Sequence, residues 1–277
     1  MNINYNKDQK ELLSIFFKVV QSSLPDFIGE DEWKGYAHGV ALKFYRHITT
    51  IRKLFPPKFD SINGDRYVDF ATLKVIERAA FENFLVFAHI YGAKDAKLGE
   101  LRFLIWKCCG LMARQKLKLA HEYKDQIEFE KKQIDELWAR IKLSPLYDQF
   151  SKPRKDRLEG GDWMGVNKMS DLAKEASVQF YYEKMYKHTS GYGHTGFLSV
   201  MQVNQANDLP TQIRLAELSL GTSLVIMANF LTIFTSLSPI AKQVLDSDPN
   251  VPVLFAMWNF RDQEWYEAIE KNRGQAK

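Results

Sequence analysis

The sequence predicts an all-α protein: a helical bundle of about seven to nine helices in a single domain, residues 1–277, with long antiparallel helices at its centre. Apolar residues recur at three- and four-residue spacing, and no segment shows the sustained alternation with period two that marks a strand. Hydrophobic residues make up 45% and charged residues 26% of the 277 residues, with only nine prolines. These proportions are ordinary for a globular protein, and a chain of this length can bury a substantial core.

The amino-terminal part of the chain contains three predicted helices. Amphipathic patterns place the first two at residues 10–22 and 33–54. Pro56 ends the second helix, because a proline disfavours the α conformation in the residue before it. After a short turn, Asp65 can cap a third helix from about residue 67 to residue 91.

Residues 97–143 form the longest helical pattern, with an apolar stripe close to heptad spacing. A continuous helix of this length would extend roughly 70 Å at about 1.5 Å per residue. Because a compact domain is shorter than that, we expect a bend near Gly110 or near Lys124. The stripe would be buried either in a long antiparallel helix pairing within the chain or in an interface between two copies of the chain.

A loop-rich linker is predicted at about residues 144–169, which contain two prolines and a pair of adjacent glycines. Its basic cluster, residues 152–157, is the densest in the chain, and we interpret it as a solvated loop. The net charge of +4 does not by itself indicate nucleic-acid binding, which requires clustered lysine and arginine.

The uncharged segment at residues 218–241 is long enough to cross a bilayer. It contains many serine and threonine residues, and no positive flank orients it, so we favour a central helix of a soluble bundle and expect no stable membrane insertion. Cys108 and Cys109 are adjacent and cannot easily form a disulfide with each other. With a polar start to the chain, this predicts a cytoplasmic location.

Residues 180–194 combine aromatics, a lysine and two histidines at a predicted helix end. On an unbroken helix beginning near Ser170, Lys187 and His194 would share a face, because seven residues make nearly two turns. A cation and an imidazole so placed can bracket a phosphodiester, the imidazole moving protons and the cation stabilising developing charge. Two glycines inside this stretch leave open a bent chain, in which the histidine only caps the helix.

Neither a metal nor a cofactor is expected. His188 and His194 are six residues apart, and the adjacent cysteines lack the spacing of a zinc knuckle. The glycine-rich motifs that bind nucleotide phosphates are missing, and so is the GxSxG motif of serine hydrolases.

Two segments, residues 77–82 and 186–194, resemble the hallmarks of an uncharacterised bacterial helical family. In that family, an Arg-x-x-Phe-Glu helix precedes a Tyr-Arg-x-x-Ser-x-x-x-His helix. Tyr186, Ser190 and His194 match the second hallmark, whereas Lys187 stands where the family has arginine. Lysine lacks the planar fork with which arginine binds phosphate through two hydrogen bonds.

The second hallmark is itself similar to the Arg-x4-6-His motif of HEPN (higher eukaryote and prokaryote nucleotide-binding) domains. Many HEPN domains are metal-independent ribonucleases of toxin and phage-defence systems that act as dimers. The resemblance therefore implies an RNA partner, a homodimer and an endoribonuclease, active or degenerate. It implies that His194 is the general base or acid, that Lys187 holds the phosphate, and that Ser190 positions the scissile group. The residues expected to bind or orient the substrate are Arg78, Glu82, Tyr186 and Tyr192.

A non-enzymatic role is the alternative. A helical scaffold or protein-interaction domain would use the apolar stripe of residues 97–143 as its partner surface. In that case, His194 and Lys187 would contribute to stability only. A third and weaker alternative is association with a membrane through residues 218–241.

Overall fold

The computed structural model describes residues 4–29, 31–59, 64–117 and 123–260, except for the side chains of Phe59 and Lys187. The prediction of an all-α protein is confirmed. The helices are α1 (Tyr5–Ser22), α2 (Leu24–Phe27), α3 (Glu32–Leu54), α4 (Phe70–Tyr91), α5 (Ala96–Gln115), α6 (Lys124–Lys142), α7 (Pro145–Asp148), α8 (Lys152–Glu159), α9 (Met169–Glu175), α10 (Gln179–Tyr181), α11 (Lys187–Gly193), α12 (Phe197–Gln205), α13 (Leu209–Thr235), α14 (Pro239–Ser247) and α15 (Val251–Trp258). A π-helical segment, Tyr182–Tyr186, joins α10 to α11.

The predicted number of helices, seven to nine, was too low for the part of the chain described. Many of the helices have only three to nine residues and occupy connections between the long ones. Apolar periodicity is read over windows of about 11 to 18 residues, so helices this short leave no periodic pattern. The expectation of no sheet also missed two strands of two residues each, β1 (Lys58–Phe59) and β2 (Arg66–Tyr67), which pair antiparallel.

The chain divides into two compact units. The first unit consists of the residues up to Ala88 and those from Ala173 onward, and the second of His89–Leu172.

Helix α13 lies at the centre of the first unit, where it packs against α1, α3, α14 and α15. Stacked and tilted phenylalanine rings surround it: the ring of Phe230 lies 3.9 Å from that of Phe87 and 4.6 Å from that of Phe44. The helix begins with Pro210 in its first turn, where proline is tolerated, and its N-cap Asp208 accepts a hydrogen bond from the amide of Thr211. It accounts for most of the uncharged segment, and α14 takes the rest.

Of the residues described, only α13 has the length and composition of a membrane-spanning helix, and 72% of its most apolar window is buried within the protein. Its polar side chains bond to carbonyls one turn earlier in the same helix. The Thr222 hydroxyl donates to Leu218, and the Asn229 amide donates to Val225. These bonds let polar side chains occupy a buried helix without an unsatisfied donor.

Helix α4 carries the first of the two sequence hallmarks. It begins at Phe70, and the Asp69 carboxylate accepts a 3.0 Å hydrogen bond from the amide of Thr72. The residue that caps α4 is therefore Asp69 and not Asp65, because the helix begins three residues later than predicted.

The second unit is built on α5 and α6, which run antiparallel. Arg140 pairs with Glu100 near one end of the two helices, and Arg114 pairs with Glu130 near the other. Helix α5 ends at Gln115, and α6 begins at Lys124. This break confirms the expectation of a bend near Lys124 and excludes the alternative near Gly110, which lies inside α5.

Part of the apolar stripe is buried in this unit, where Leu101, Cys108 and Ile141 are each at most 2% exposed. The predicted linker, residues 144–169, contains α7 and α8. Its basic cluster was wrongly interpreted as a loop: Pro153 lies in the first turn of α8, where the fixed backbone angle of proline favours a helix start.

Candidate functional site

The candidate site lies in the first unit, where α4 faces the chain from α10 to α11. Arg78 and Glu82 are one turn apart on α4, and the Arg78 Nε donates a 2.9 Å hydrogen bond to Glu82 Oε1. Both side chains are partly exposed, at 24% and 33%. The pair therefore presents a fixed guanidinium at the protein surface.

The second hallmark does not lie on the unbroken helix that the sequence predicts. Helix α9 ends before Ser177, which has a positive φ of 58°, and the chain restarts as α10. It then passes through the π-helical segment into α11. From Tyr186 onward the spacing is helical, so Tyr186, Ser190 and His194, each four residues apart, lie on one side.

The guanidinium of Arg78 contacts all three of these side chains. Its Nη1 donates to the Ser190 hydroxyl at 3.0 Å and lies 3.4 Å from Nε2 of His194. Its Nη2 donates to the Tyr186 hydroxyl at 3.3 Å, and its Cζ lies 5.0 Å from the centre of the Tyr186 ring. A single arginine side chain thus contacts all three residues that match the second hallmark.

Tyr186 is fixed from a second direction, because its hydroxyl donates a 2.6 Å hydrogen bond to Glu82 Oε1. Burial and this carboxylate raise the pKa of Tyr186 to about 12, although Arg78 acts in the opposite sense. Burial tends to lower the pKa of Arg78, but the hydrogen bonds and charge interactions with Glu82 and Tyr186 together outweigh burial and raise that pKa. Tyr186 is therefore neutral and Arg78 charged near neutral pH.

His194 is exposed and follows the last residue of α11 as its C-cap. The next residue, Thr195, has a positive φ of 52°, and the amide of Gly196 donates a 2.8 Å hydrogen bond to the carbonyl of Gly191. This is the Schellman arrangement of a helix end, in which the left-handed position usually holds glycine. A threonine there is strained, and such strain is often found at functional sites.

The glycines of α11 do not bend it away from Arg78. The helix continues through Gly191 as far as Gly193. A Cβ atom at Gly193 would lie 3.8 Å from Nη1 of Arg78, so the chain passes close to the guanidinium here. The bend that these two glycines left open is therefore not observed in α11, and His194 lies beside Arg78.

Lys187 begins α11, but its side chain lies outside the part of the chain that the structure describes. The predicted pairing of Lys187 with His194 is therefore untested. The structure brings Arg78 to the position beside His194 that the sequence analysis assigned to the lysine. The spacing of Arg78 and Glu82 by one turn was noted from the sequence, but nothing in the sequence showed which groups they meet.

Tyr192 does not join the group around Arg78. Its hydroxyl donates a 2.5 Å hydrogen bond to Oε1 of Gln202 on α12, and its ring lies edge-on to Phe70 and His188. Tyr192 therefore fastens α12 to α11. Burial lowers the pKa of the neighbouring His188 imidazole, so this half-buried histidine favours its neutral form.

A second polar cluster, buried on α4, was missed by the sequence analysis. Lys74 and Glu77 are 1% exposed, and Lys74 Nζ lies 2.9 Å from Glu77 Oε2. The same carboxylate accepts hydrogen bonds from Tyr181 at 2.9 Å and from Ser219 at 2.7 Å, and Tyr181 also contacts Thr222. These bonds link α4 to α10 and α13 in the interior of the unit.

The buried and exposed clusters share one pattern, in which a tyrosine donates to a glutamate of α4. Tyr181 meets Glu77 in the interior, and Tyr186 meets Glu82 near the surface. Five residues of an α-helix turn through about 500°, so Glu77 and Glu82 point in directions about 140° apart. The π-helical segment between the tyrosines widens the turn and lets both of them reach their partners.

The geometry can be compared with known proteins. The model of a family of unknown function, DUF5677, matches residues 67–210, which is more than half of the chain, and the protein belongs to this family. The matched range contains Arg78, Glu82, Tyr186, Ser190 and His194. No curated protein and no solved structure shows significant similarity to the chain.

Proposed function

We propose that this member of the DUF5677 family is an RNA-cleaving protein, a metal-independent endoribonuclease of the toxin or phage-defence type. The observation that carries the proposal is the contact of Arg78 with Ser190 and His194 at an exposed surface. The resemblance of residues 186–194 to the HEPN motif supports RNA as the substrate. Arginine beside histidine is also a pair of residue types that can catalyse phosphodiester cleavage, because the histidine transfers protons and the arginine stabilises charge on the phosphate.

The proposed reaction starts when a phosphodiester binds Nη1 of Arg78. The phosphate oxygen replaces His194 Nε2 as the neighbour of Nη1, and the freed nitrogen accepts the proton of the ribose 2′-hydroxyl. The 2′-oxygen attacks phosphorus, and the bond from phosphorus to the 5′-oxygen breaks. The products are a 2′,3′-cyclic phosphate and a 5′-hydroxyl, and the proton passes from the imidazolium to the leaving oxygen. Arg78 stabilises the negative charge that develops on the phosphate.

Glu82 and Tyr186 position the guanidinium in this proposal. Glu82 holds Nε and Tyr186 holds Nη2, which leaves Nη1 directed toward Ser190 and His194. A guanidinium held in this way loses little further conformational freedom when it binds an anion. Lys187, one residue after Tyr186, is proposed as a second cation for the same phosphate.

The test is incubation of the purified protein with a mixture of RNAs in the presence of a metal chelator. The wild type is expected to cleave, whereas His194→Ala and Arg78→Ala lose cleavage but keep their helical circular dichroism spectrum. His47→Ala, which removes a half-buried histidine of α3, is the matched control and retains cleavage. Equal cleavage by the wild type and His194→Ala, or cleavage by neither, overturns the proposal.

A non-enzymatic interaction role is the second candidate, and a groove on the second unit favours it. The groove has a volume of about 400 Å³ and is lined by Lys97, Glu100, Leu101, Leu104, Arg140, Leu143 and Ser144. Leu143 is 82% exposed at its edge. In this role, substitutions at Arg78 and His194 change stability alone, and Leu143→Ser weakens partner binding.

A further inference from the structure

Phe197 has 79% of its surface accessible to solvent. Among the exposed large apolar residues in the described part of the chain, it is the most exposed aromatic residue. It is the first residue of α12 and follows His194 by three positions. Three residues span at most about 11 Å, so the Phe197 backbone lies within that distance of the His194 backbone. A solvent-exposed aromatic ring therefore lies on the segment that directly follows the proposed catalytic group.

The helix that carries this ring is held in place on its other side. The hydroxyl of Ser199 donates to the carbonyls of Gly191 at 3.0 Å and of Gly196 at 2.7 Å. Gln202, one turn further on, accepts the hydrogen bond from Tyr192. Because its inner face is bonded to α11, α12 presents Phe197 from a fixed backbone.

We infer that Phe197 stacks against an unpaired nucleobase next to the phosphate bound at Arg78, and that the ligand is single-stranded RNA. The inference rests on the proposed function, because the position of the bound phosphate at Arg78 is taken from that proposal. Bases in a duplex stack on one another, whereas bases of a single strand are free to stack on an aromatic side chain. Such stacking tolerates any base and strengthens binding by about five- to 150-fold per base.

The composition of α12 favours a base over a second copy of the chain as the occupant. Residues 197–205 contain no charged side chain, and the exposed apolar residues besides Phe197 are Leu198, Val200 and Val203. Such a patch offers on the order of a few hundred Å², whereas a stable interface buries about 800 Å² per partner. A single base needs only the Phe197 ring.

The test measures dissociation constants for a fluorescent 2′-O-methyl oligonucleotide, which cannot be cleaved through its 2′-oxygen. Phe197→Ala is expected to weaken binding about fivefold or more, and Phe197→Trp to restore it. Leu198→Ala, which shortens the adjacent 63% exposed residue, is the matched control and leaves affinity unchanged. An abasic oligonucleotide and a duplex are expected to bind wild type and Phe197→Ala equally.

Several outcomes overturn the inference. In the first, Phe197→Ala binds the single strand as tightly as the wild type does. In the second, Phe197→Ala loses as much affinity for the abasic strand as for the intact strand. In the third, Phe197→Ala changes the mass of the protein in solution and leaves its affinity for RNA unchanged. If His194-dependent cleavage occurs and Phe197→Ala behaves as the wild type, only the stacking inference fails. If Phe197-dependent binding occurs without cleavage, only the proposed cleavage fails.

Discussion

Nη1 of Arg78 lies 3.4 Å from Nε2 of His194, although the two residues are 116 positions apart in the sequence. A guanidinium always donates, so the contact is favourable when Nε2 is unprotonated and accepts. The same guanidinium also donates to Ser190 and Tyr186, and it can release Nε2 without losing its position.

Replacing Arg78 with lysine is expected to lower the rate of RNA cleavage at least about tenfold while the protein stays folded. A lysine ammonium is one point of charge and cannot meet Glu82, Tyr186 and Ser190 together, whereas the arginine fork meets all three. The rate is measured with a single RNA substrate. Arg214→Lys, at an exposed arginine of α13, is the control. An unchanged rate in Arg78→Lys would show that the fork is not required.

Lys74→Met is expected to lower the free energy of unfolding by about 3–5 kcal/mol, because it leaves the buried carboxylate of Glu77 without its cation. The double variant Lys74→Met/Glu77→Gln should cost less than the sum of the two single variants. Urea denaturation of the four proteins measures this coupling. Lys242→Met breaks an exposed ion pair with Asp246 and is expected to cost less than about 1 kcal/mol. Equal costs at the two lysines would contradict the burial argument.

Thr195→Gly is expected to stabilise the protein by about 0.5–1 kcal/mol. A left-handed backbone costs a non-glycine residue roughly 1–2 kcal/mol, and the greater freedom of glycine in the unfolded chain offsets part of that gain. Thermal unfolding measures the change. Thr195→Ala keeps a Cβ at the left-handed position and should bring no comparable gain. A lower melting temperature for the glycine variant would contradict the strain at this helix end.

Tyr186→Phe is expected to reduce the loss of stability at alkaline pH. The pKa of Tyr186 is about 12 in the folded protein, above the ordinary tyrosine value of about 10. Its contribution to stability is complete below about pH 10 and is lost as the pH rises through the folded value. The free energy of unfolding should therefore decline less steeply above about pH 10 in the variant. Urea denaturation at several pH values measures the slope, with Tyr67→Phe as the control, and identical slopes for Tyr186→Phe and wild type would refute the assignment.

Much of the fold followed from the spacing of apolar residues along the sequence. The helices near residues 10–22, 33–54 and 67–91 were found because each is long enough to repeat its buried face several times. The division of residues 97–143 was anticipated from length alone. Helices α7, α8 and α12 were not predicted, because such short segments carry too few residues to show a period, and the predicted helix from near Ser170 is interrupted between α9 and α11.

Only part of the candidate site could be predicted from the sequence. The four-residue spacing of Tyr186, Ser190 and His194 is enough to place them on one side of a helix wherever that helix packs. Their partner could not be found in this way. Lys187 was taken as the cation because seven residues of helix would bring it to the face of His194, whereas the cation that the structure places beside His194 is Arg78 of α4.

The sequence by itself determined that the protein is helical and that these three polar side chains share a face, because both properties depend on local spacing. Tertiary structure alone decided that Arg78 meets that face and that Lys74 and Glu77 are buried. The relative rotation of two packed helices depends on the whole core, which includes the π-helical segment and α13. The sequence does not show whether a charged side chain is solvated or paired with a buried carboxylate. Whether an ion pair is buried is therefore decided only by how the helices pack.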